Sequence, residues 1–379
     1  MKEENQKIVN SNILSLTTLT LGQSCKLISF EDVQQLQELK NGVRLEHLSL
    51  NLSSKSIGVE YAIQIASYIS CLENLSELNI NLSTNQIESK GAKAFGESLQ
   101  KLKNLKQLRL YISFNQIKSD GLSSIAEGIS NLKNLEQLTL SFNQNQIQEF
   151  YQLGKTFEKL ANITFLHLSL AQNQINSEGI LQICQGISKC SNLKSLILQL
   201  KNNILADEGI QNLSNELQKC QKIELLNLDL TNNLVKEQGA YYLGNLVQQL
   251  QNLTHINFNL QINKIQQNGL QNLIGCIKKI KIQLTNLSLN LYNNQIDFEG
   301  IESLFLEISQ FDKLKQIDLN LEKNQSMIKN ILFHFKSLEH LQFLALNISQ
   351  NGFSHYFKKK FINQSFLRCK RLVQMQLQK

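Results

Sequence analysis

Apolar residues recur along this chain in two alternating rhythms. In the stretch that begins at Leu75, LSELNINLSTNQIESKG, residues Leu78, Ile80 and Leu82 occupy every second position. That is the period of a strand with one buried face. After Gly91, residues Phe95, Leu99 and Leu102 step by four and three, the apolar stripe of a helix. The same switch repeats from starts at Leu45, Leu75, Leu105, Leu135, Ile163, Leu193, Ile223, Leu253, Leu284, Leu314 and Leu341, at intervals of 27 to 31 residues. Each unit therefore predicts one strand, one turn and one helix. Self-similarity at this period is the signature of a stacked solenoid. A weaker unit begins near Leu16, and a partial one closes the chain at Leu372, Met375 and Leu377.

Two sets of asparagines keep step with the repeat. Asn85, Asn115, Asn145, Asn173, Asn203 and their successors fall just before the second half of each unit. Side-chain amides there are expected to bond the backbone of neighbouring turns, where no strand ladder continues. A second set, including Asn74, Asn104, Asn134 and Asn252, precedes the strands. Asn tolerates the left-handed conformation that ends a helix, so these read as helix stop signals.

The unit resembles the leucine-rich repeat, and its Gly-plus-long-helix half resembles the ribonuclease-inhibitor-like subfamily. That subfamily includes ribonuclease inhibitor, Ran GTPase-activating protein and the sensor ends of NOD-like receptors. The resemblance covers about residues 13 to 379. It implies an α/β leucine-rich-repeat solenoid, a horseshoe with a parallel β-sheet on the concave face and helices on the convex face. One departure is consistent: an extra x-Leu pair (Leu82, Ile112, Phe142, Leu170 and equivalents) precedes the Asn. A strand about two residues longer is the expectation. Domain boundaries follow: a polar tail at 1–12, an N-terminal capping repeat at 13–44, the solenoid at 45–351 and a C-terminal cap at 352–379. One repeat cannot cover its own open faces, so stability should be a nearest-neighbour sum that needs caps at both ends.

Composition adds a few exclusions. The chain of 379 residues has no Pro and no Trp, which removes Pro-rich linkers and polyproline ligands. Its N-terminus, MKEENQKIVN, is polar, and no stretch approaches the ~20 apolar residues of a membrane-spanning helix. The seven cysteines form no C-x-x-C pair, which points to a reducing, cytoplasmic compartment. Cys190 and Cys220 share the phase held by Leu in other repeats and read as small core hydrophobes.

Catalytic signals are weak. Gly154-Lys155-Thr156 has the ending of a phosphate-binding loop, but Glu149 stands where that motif needs Gly. Asp297-Phe298-Glu299-Gly300 lacks the companion motifs of a kinase. The histidines have no metal-ligand spacing with acidic support. No enzyme activity, cofactor, metal or small-molecule substrate is expected.

Binding is the remaining class. Outward strand positions form one row through Ser49, Asn79, Arg109, Thr139 and His167, and a second through Asn51, Asn81, Tyr111, Ser141 and Ser169. Arg109, Tyr111 and His167 are the chemically varied cluster, and Tyr and Arg are enriched among interface hot spots. Farther along the same rows, Gln199, Asp229 and Asp318 are further candidates for a protein partner. The net charge of +7 has an address: Lys358, Lys359, Lys360, Arg368, Lys370, Arg371 and Lys379 lie in the last 29 residues with no acid among them. The other 31 basic side chains are balanced by 31 acidic ones. This basic cap could dock on an acidic partner, a membrane surface or a nucleic acid. The last strand presents a sheet edge open to pairing. The expectation is a cytoplasmic interaction scaffold or adaptor. The alternatives are a small-GTPase regulator similar to Ran GTPase-activating protein, a membrane or cytoskeletal anchor, and the repeat region of a longer signalling protein.

Overall fold

The computed structural model describes residues 18–21, 45–324, 338, 340–348, 351 and 374–378, the first and last of these segments as backbone. The chain divides into two compact units, Met1–Gln174 and Ile175–Lys379. Each is an α/β repeat solenoid in which strands pair in parallel with their sequence neighbours.

In the first unit the strands are β1 (Thr18–Leu21), β2 (His47–Asn51), β3 (Glu77–Asn81), β4 (Gln107–Tyr111), β5 (Gln137–Ser141) and β6 (Phe165–Ser169). Helices α1 (Gly58–Ile69), α2 (Glu88–Leu99), α3 (Lys118–Ile129) and α4 (Tyr151–Glu158) follow β2 to β5 in turn. The second unit carries β7 (Ser195–Gln199), β8 (Leu225–Asp229), β9 (His255–Asn259), β10 (Asn286–Asn290), β11 (Gln316–Asn320), β12 (Phe343–Asn347) and β13 (Gln374–Gln378). Its described helices are α5 (Ser177–Ile187), α6 (Ala206–Leu217), α7 (Glu237–Gln249), α8 (Gln266–Ile277) and α9 (Phe298–Ile308). Of the two expected caps, β1 and β13 pair with β2 and β12 respectively. The remainder of 13–44 and of 352–379, and the tail 1–12, lie outside the described residues.

Alternation places Leu78 and Ile80 inward, and Phe95 and Leu99 of α2 and Leu102, just beyond its end, are buried with them. The strand is not longer, as the extra x-Leu pair had suggested, for it ends at Asn81. The backbone ladder nevertheless runs on: Leu82 N–H donates to Tyr111 O at 2.7 Å and Thr84 N–H to Ser113 O at 2.9 Å. Thr84 stops the strand because it adopts φ 62°, and Gln86 and Glu88 follow at 55° and 54°. Left-handed residues without Gly cost roughly 1–2 kcal/mol each. The turn is held there by bonds to the next turn, such as Glu88 N–H to Asn115 O at 3.0 Å.

The first asparagine set forms the expected ladder. Asn115 is fully buried. Its Oδ1 accepts from Asn85 N–H at 2.9 Å and Ile87 N–H at 3.3 Å. Its Nδ2 donates to Leu82 O at 2.9 Å and to Ile112 O and Ser113 O at 3.0 Å. Asn85, Asn145, Asn263 and Asn324 repeat the pattern. Among the described residues of the second unit the ladder is interrupted at Asn233, whose Oδ1 is enclosed and accepts no hydrogen bond.

The second set works differently from expectation. None of Asn74, Asn104, Asn134 or Asn252 has positive φ. Instead their amides reach back one repeat: Asn104 Nδ2 donates to Glu73 O at 2.9 Å, Asn134 to Lys103 O at 3.0 Å and Asn252 to Gln221 O at 2.8 Å. These carbonyls follow a helix end, where orphan acceptors need partners. The side chain, not a left-handed backbone, supplies the signal.

Glycine also has a different task. Helix α2 begins three residues before Gly91, so that residue sits in its first turn. Between α2 and α3 the approach is closest at Gly96 and Gly128. A Cβ on Gly96 would lie 2.2 Å from Ser124 O, and one on Gly128 would lie 2.2 Å from Gly96 O. Cys184, Cys190 and Cys220 are buried thiols, none of them in a disulfide. Burial pushes Cys190 and Cys220 up to about 12 and Cys184 well upward too.

Candidate interaction surface

Register turns the repeat into rows. In the first unit Ser49, Asn79, Arg109, Thr139 and His167 are successive partners across β2–β6, as are Asn51, Asn81, Tyr111, Ser141 and Ser169. A leading row, which the two sequence rows did not include, runs His47, Glu77, Gln107, Gln137, Phe165. It precedes the first strand leucine of each unit, so the apolar motif does not mark it. Continuing the alternation backward from Asn79 to Glu77 would have found it.

The leading row changes how Arg109 is read. With the Gln107 amide oriented to satisfy both of its ends, its oxygen accepts from Arg109 Nη1 at 2.6 Å and Nη2 at 2.9 Å, while its nitrogen donates to Gln137 Oε1 at 3.1 Å. The guanidinium is thus braced on a neutral amide chain, and it has no carboxylate partner among the described residues. Glu77, the one acid on the outward rows of β2–β6, lies 3.2 Å from His47 Nδ1. Tyr111 is half-buried two residues along the same strand as Arg109. His167 stands two strands away beyond buried Thr139, and its Nε2 is enclosed without a hydrogen-bond partner.

Neighbouring hydroxyls and amides are tied across strands. Asn79 Nδ2 donates to Ser49 Oγ at 3.1 Å, and Ser113 and Ser141 share a hydrogen bond of 2.8 Å. Ser169 Oγ and Ala171 N–H both donate to Asn143 Oδ1, at 2.8 and 2.7 Å. Apart from the His47–Glu77 pair, the face is a pre-set neutral lattice around one cation. Phe114, 48% exposed, projects from the turn after β4.

The second unit supplies Gln199, Asp229 and Asp318. Gln199 and Asp229 are register partners, whereas Asp318 lies on β11, three strands beyond Asp229. Asp229 is partly occupied, because its Oδ1 accepts from Thr231 N–H at 3.0 Å and Thr231 Oγ1 at 2.6 Å. Asn290 and Asn320 close their strands in the same way, accepting the N–H two residues on at 3.3 and 3.2 Å. Asp318 has no such bond, and desolvation by its surroundings raises its carboxyl above the ordinary carboxylate value. Lys358, Lys359, Lys360, Arg368, Lys370 and Arg371 lie outside the described residues.

On the helix side, shortened α4 leaves an open cleft of about 370 Å³ against α3, lined by Ser123, Ser124, Glu127, Glu149, Tyr151 and Gln152. The phosphate-loop-like fragment lies within α4, where Thr156 Oγ1 donates to Ala126 O at 2.8 Å and Lys155 pairs with Glu158 at 2.9 Å. Asp297, of the kinase-like fragment, caps α9 by accepting from Gly300 N–H at 2.9 Å. Both fragments are spent on local structure.

Neither a protein-family model nor a curated protein sequence matches the chain. Solved structures do. The crystal structure of the Rad7 and Elc1 complex from yeast contains a chain similar over 91% of this one and 80% of its own length, at 17% identity and a TM-score of 0.50. The TLR13–ssRNA13 complex gives 96% and 54% coverage, 17% identity and a TM-score of 0.48. This chain thus spans about half the length of the TLR13 chain. What the chain shares with the Rad7–Elc1 structure is the fold, an α/β leucine-rich-repeat solenoid.

Proposed function

We propose that this chain is a non-enzymatic protein-interaction scaffold of the ribonuclease-inhibitor-like repeat type, working in the cytoplasm through the outward sheet face of β4–β6. The observation that carries the reading is Arg109. It is a cation braced by Gln107, unpaired by any carboxylate among the described residues, beside Tyr111 on a lattice of interlocked neutral groups. Pre-set side chains lose little entropy on binding, which is how a rigid face gains affinity. A helix of eleven to thirteen residues in most described repeats supports the subfamily assignment. Described cysteines outside any disulfide support a reducing compartment.

The test is affinity capture from native extract with the intact chain and with a double variant, Arg109→Ala and Tyr111→Ala. Each protein captured is then titrated with both forms. Weakening by more than about tenfold is expected if these residues act as hot spots. Unchanged binding removes this face from the reading. Acceleration of GTP hydrolysis by a small GTPase would remove the non-enzymatic part.

A second reading rests on charge. The whole net +7 resides in residues 351–379, so this segment could hold an acidic surface while the sheet face binds elsewhere. Removing Lys358 to Lys360 should abolish salt-sensitive pelleting with anionic vesicles; pelleting that persists would exclude it.

A further inference from the structure

The structure points to the chemistry of the partner: we infer that the β4–β6 face receives an acidic protein segment and holds one of its carboxylates on Arg109. This inference rests on the scaffold reading and adds the partner's class to it.

Arg109 has five N–H donors in a planar fork. Gln107 oxygen takes one from Nη1 and one from Nη2. The Nε–H and two further Nη hydrogens remain, and a carboxylate accepts such a pair in bidentate fashion. Among the described residues none competes for them. The diagonal acid, Glu77, is engaged by His47 at 3.2 Å. Bracing by a neutral amide matters. A carboxylate in place of Gln107 would neutralise the charge, whereas the amide fixes the plane of the guanidinium and leaves the charge in place.

The surroundings select a protein acid over a nucleic acid. Phosphate backbones are held by several cations in a groove. The outward rows of β2–β6 offer one Arg and no Lys. One fixed cation among neutral hydroxyls and amides suits a single carboxylate flanked by peptide groups. Tyr111, half-buried two residues away along β4, gives the stem of an Asp or Glu, or an adjacent apolar residue, a surface to lie on.

The experiment selects displayed random short peptides on the immobilised full chain, in parallel with Arg109→Ala, Arg109→Lys and a single-stranded oligouridylate probe. Melting curves check that both variants are folded. Selected peptides should converge on Asp or Glu. Changing that acid to Asn or Gln should weaken binding to the wild-type chain by more than about tenfold, and change binding to Arg109→Ala by less than about threefold. Arg109→Lys should recover part of the affinity, because it keeps the charge but not the fork. Peptides without an acid, or an acid effect equal in Arg109→Ala, would overturn the inference and leave the scaffold reading standing. Arg109-dependent capture of oligouridylate without acidic peptides would also overturn it. Recovery of no peptide by the folded chain would remove both.

Discussion

Replacing Asn115 with Ala isolates what the buried amide ladder contributes. The Asn115 Oδ1 accepts two hydrogen bonds, and the two N–H of its Nδ2 are shared among three carbonyls. The three carbonyls it serves do not become orphans. Leu82 O still accepts from Asn85 Nδ2 at 2.8 Å, Ile112 O from Asn145 Nδ2 at 3.0 Å, and Ser113 O from Thr84 N–H at 2.9 Å. The acceptor side has no such reserve. Asn85 N–H and Ile87 N–H each lose the partner seen here, inside a turn closed to water. A buried unsatisfied group costs about 1–3 kcal/mol, so the expected loss is about 2–6 kcal/mol. Asn104→Ala is the matched control, since it removes one exposed bond of 2.9 Å and should cost about 1 kcal/mol or less. Urea unfolding followed by circular dichroism compares the two. Because stability is a nearest-neighbour sum, Asn115→Ala should also separate the transition at the interface between its repeat and the preceding one. Equal losses in the two variants would refute the ladder as the source of turn stability.

Three other outcomes follow from the geometry. Gly96→Ala should be strongly destabilising, because its Cβ would meet Ser124 O at 2.2 Å, whereas Gly275→Ala meets nothing within 4 Å and should stabilise by about 0.4–1 kcal/mol; melting temperatures decide both. Cys71 should be alkylated in the native chain at pH 8 while Cys190 and Cys220, held near 12 by burial, stay protected until unfolding; peptide mapping that finds all three modified would contradict this. The carboxyl of Asp318 is raised although its side chain is exposed, so its ionised form disfavours the native state only slightly: its own contribution to stability should fall as pH rises through the carboxylate range, and denaturation curves of Asp318→Asn should lack that small contribution.

The surface rows were legible from sequence because one repeat is one step of strand register. Once Leu78 and Leu108 share a phase, Asn79 and Arg109 must be neighbours, and the pairing shows them so. The leading row was missed because no recurring apolar position marks it, and with it went the Gln107 brace that defines Arg109. Row position alone makes Asp229 a candidate contact for a partner. Its bond to Thr231 depends on how the strand ends, which no spacing states.

Sequence alone determined the architecture: the repeat length, the inward leucines, the helix stripe and the buried amide column. These are properties of one unit copied many times, and period is enough to read them. Tertiary structure decided whatever depends on how adjacent copies meet. It placed Thr84 and Gln86 in left-handed turns, gave the strand-preceding asparagines a carbonyl in the previous repeat, and set Gly96 against Ser124. It also left Arg109 charged and unpaired among the described residues. The physical reason is the same throughout. Hydrogen bonds and close approaches between repeats join atoms about thirty residues apart, and a pattern of residue types records the phase of those atoms but not the partners they choose.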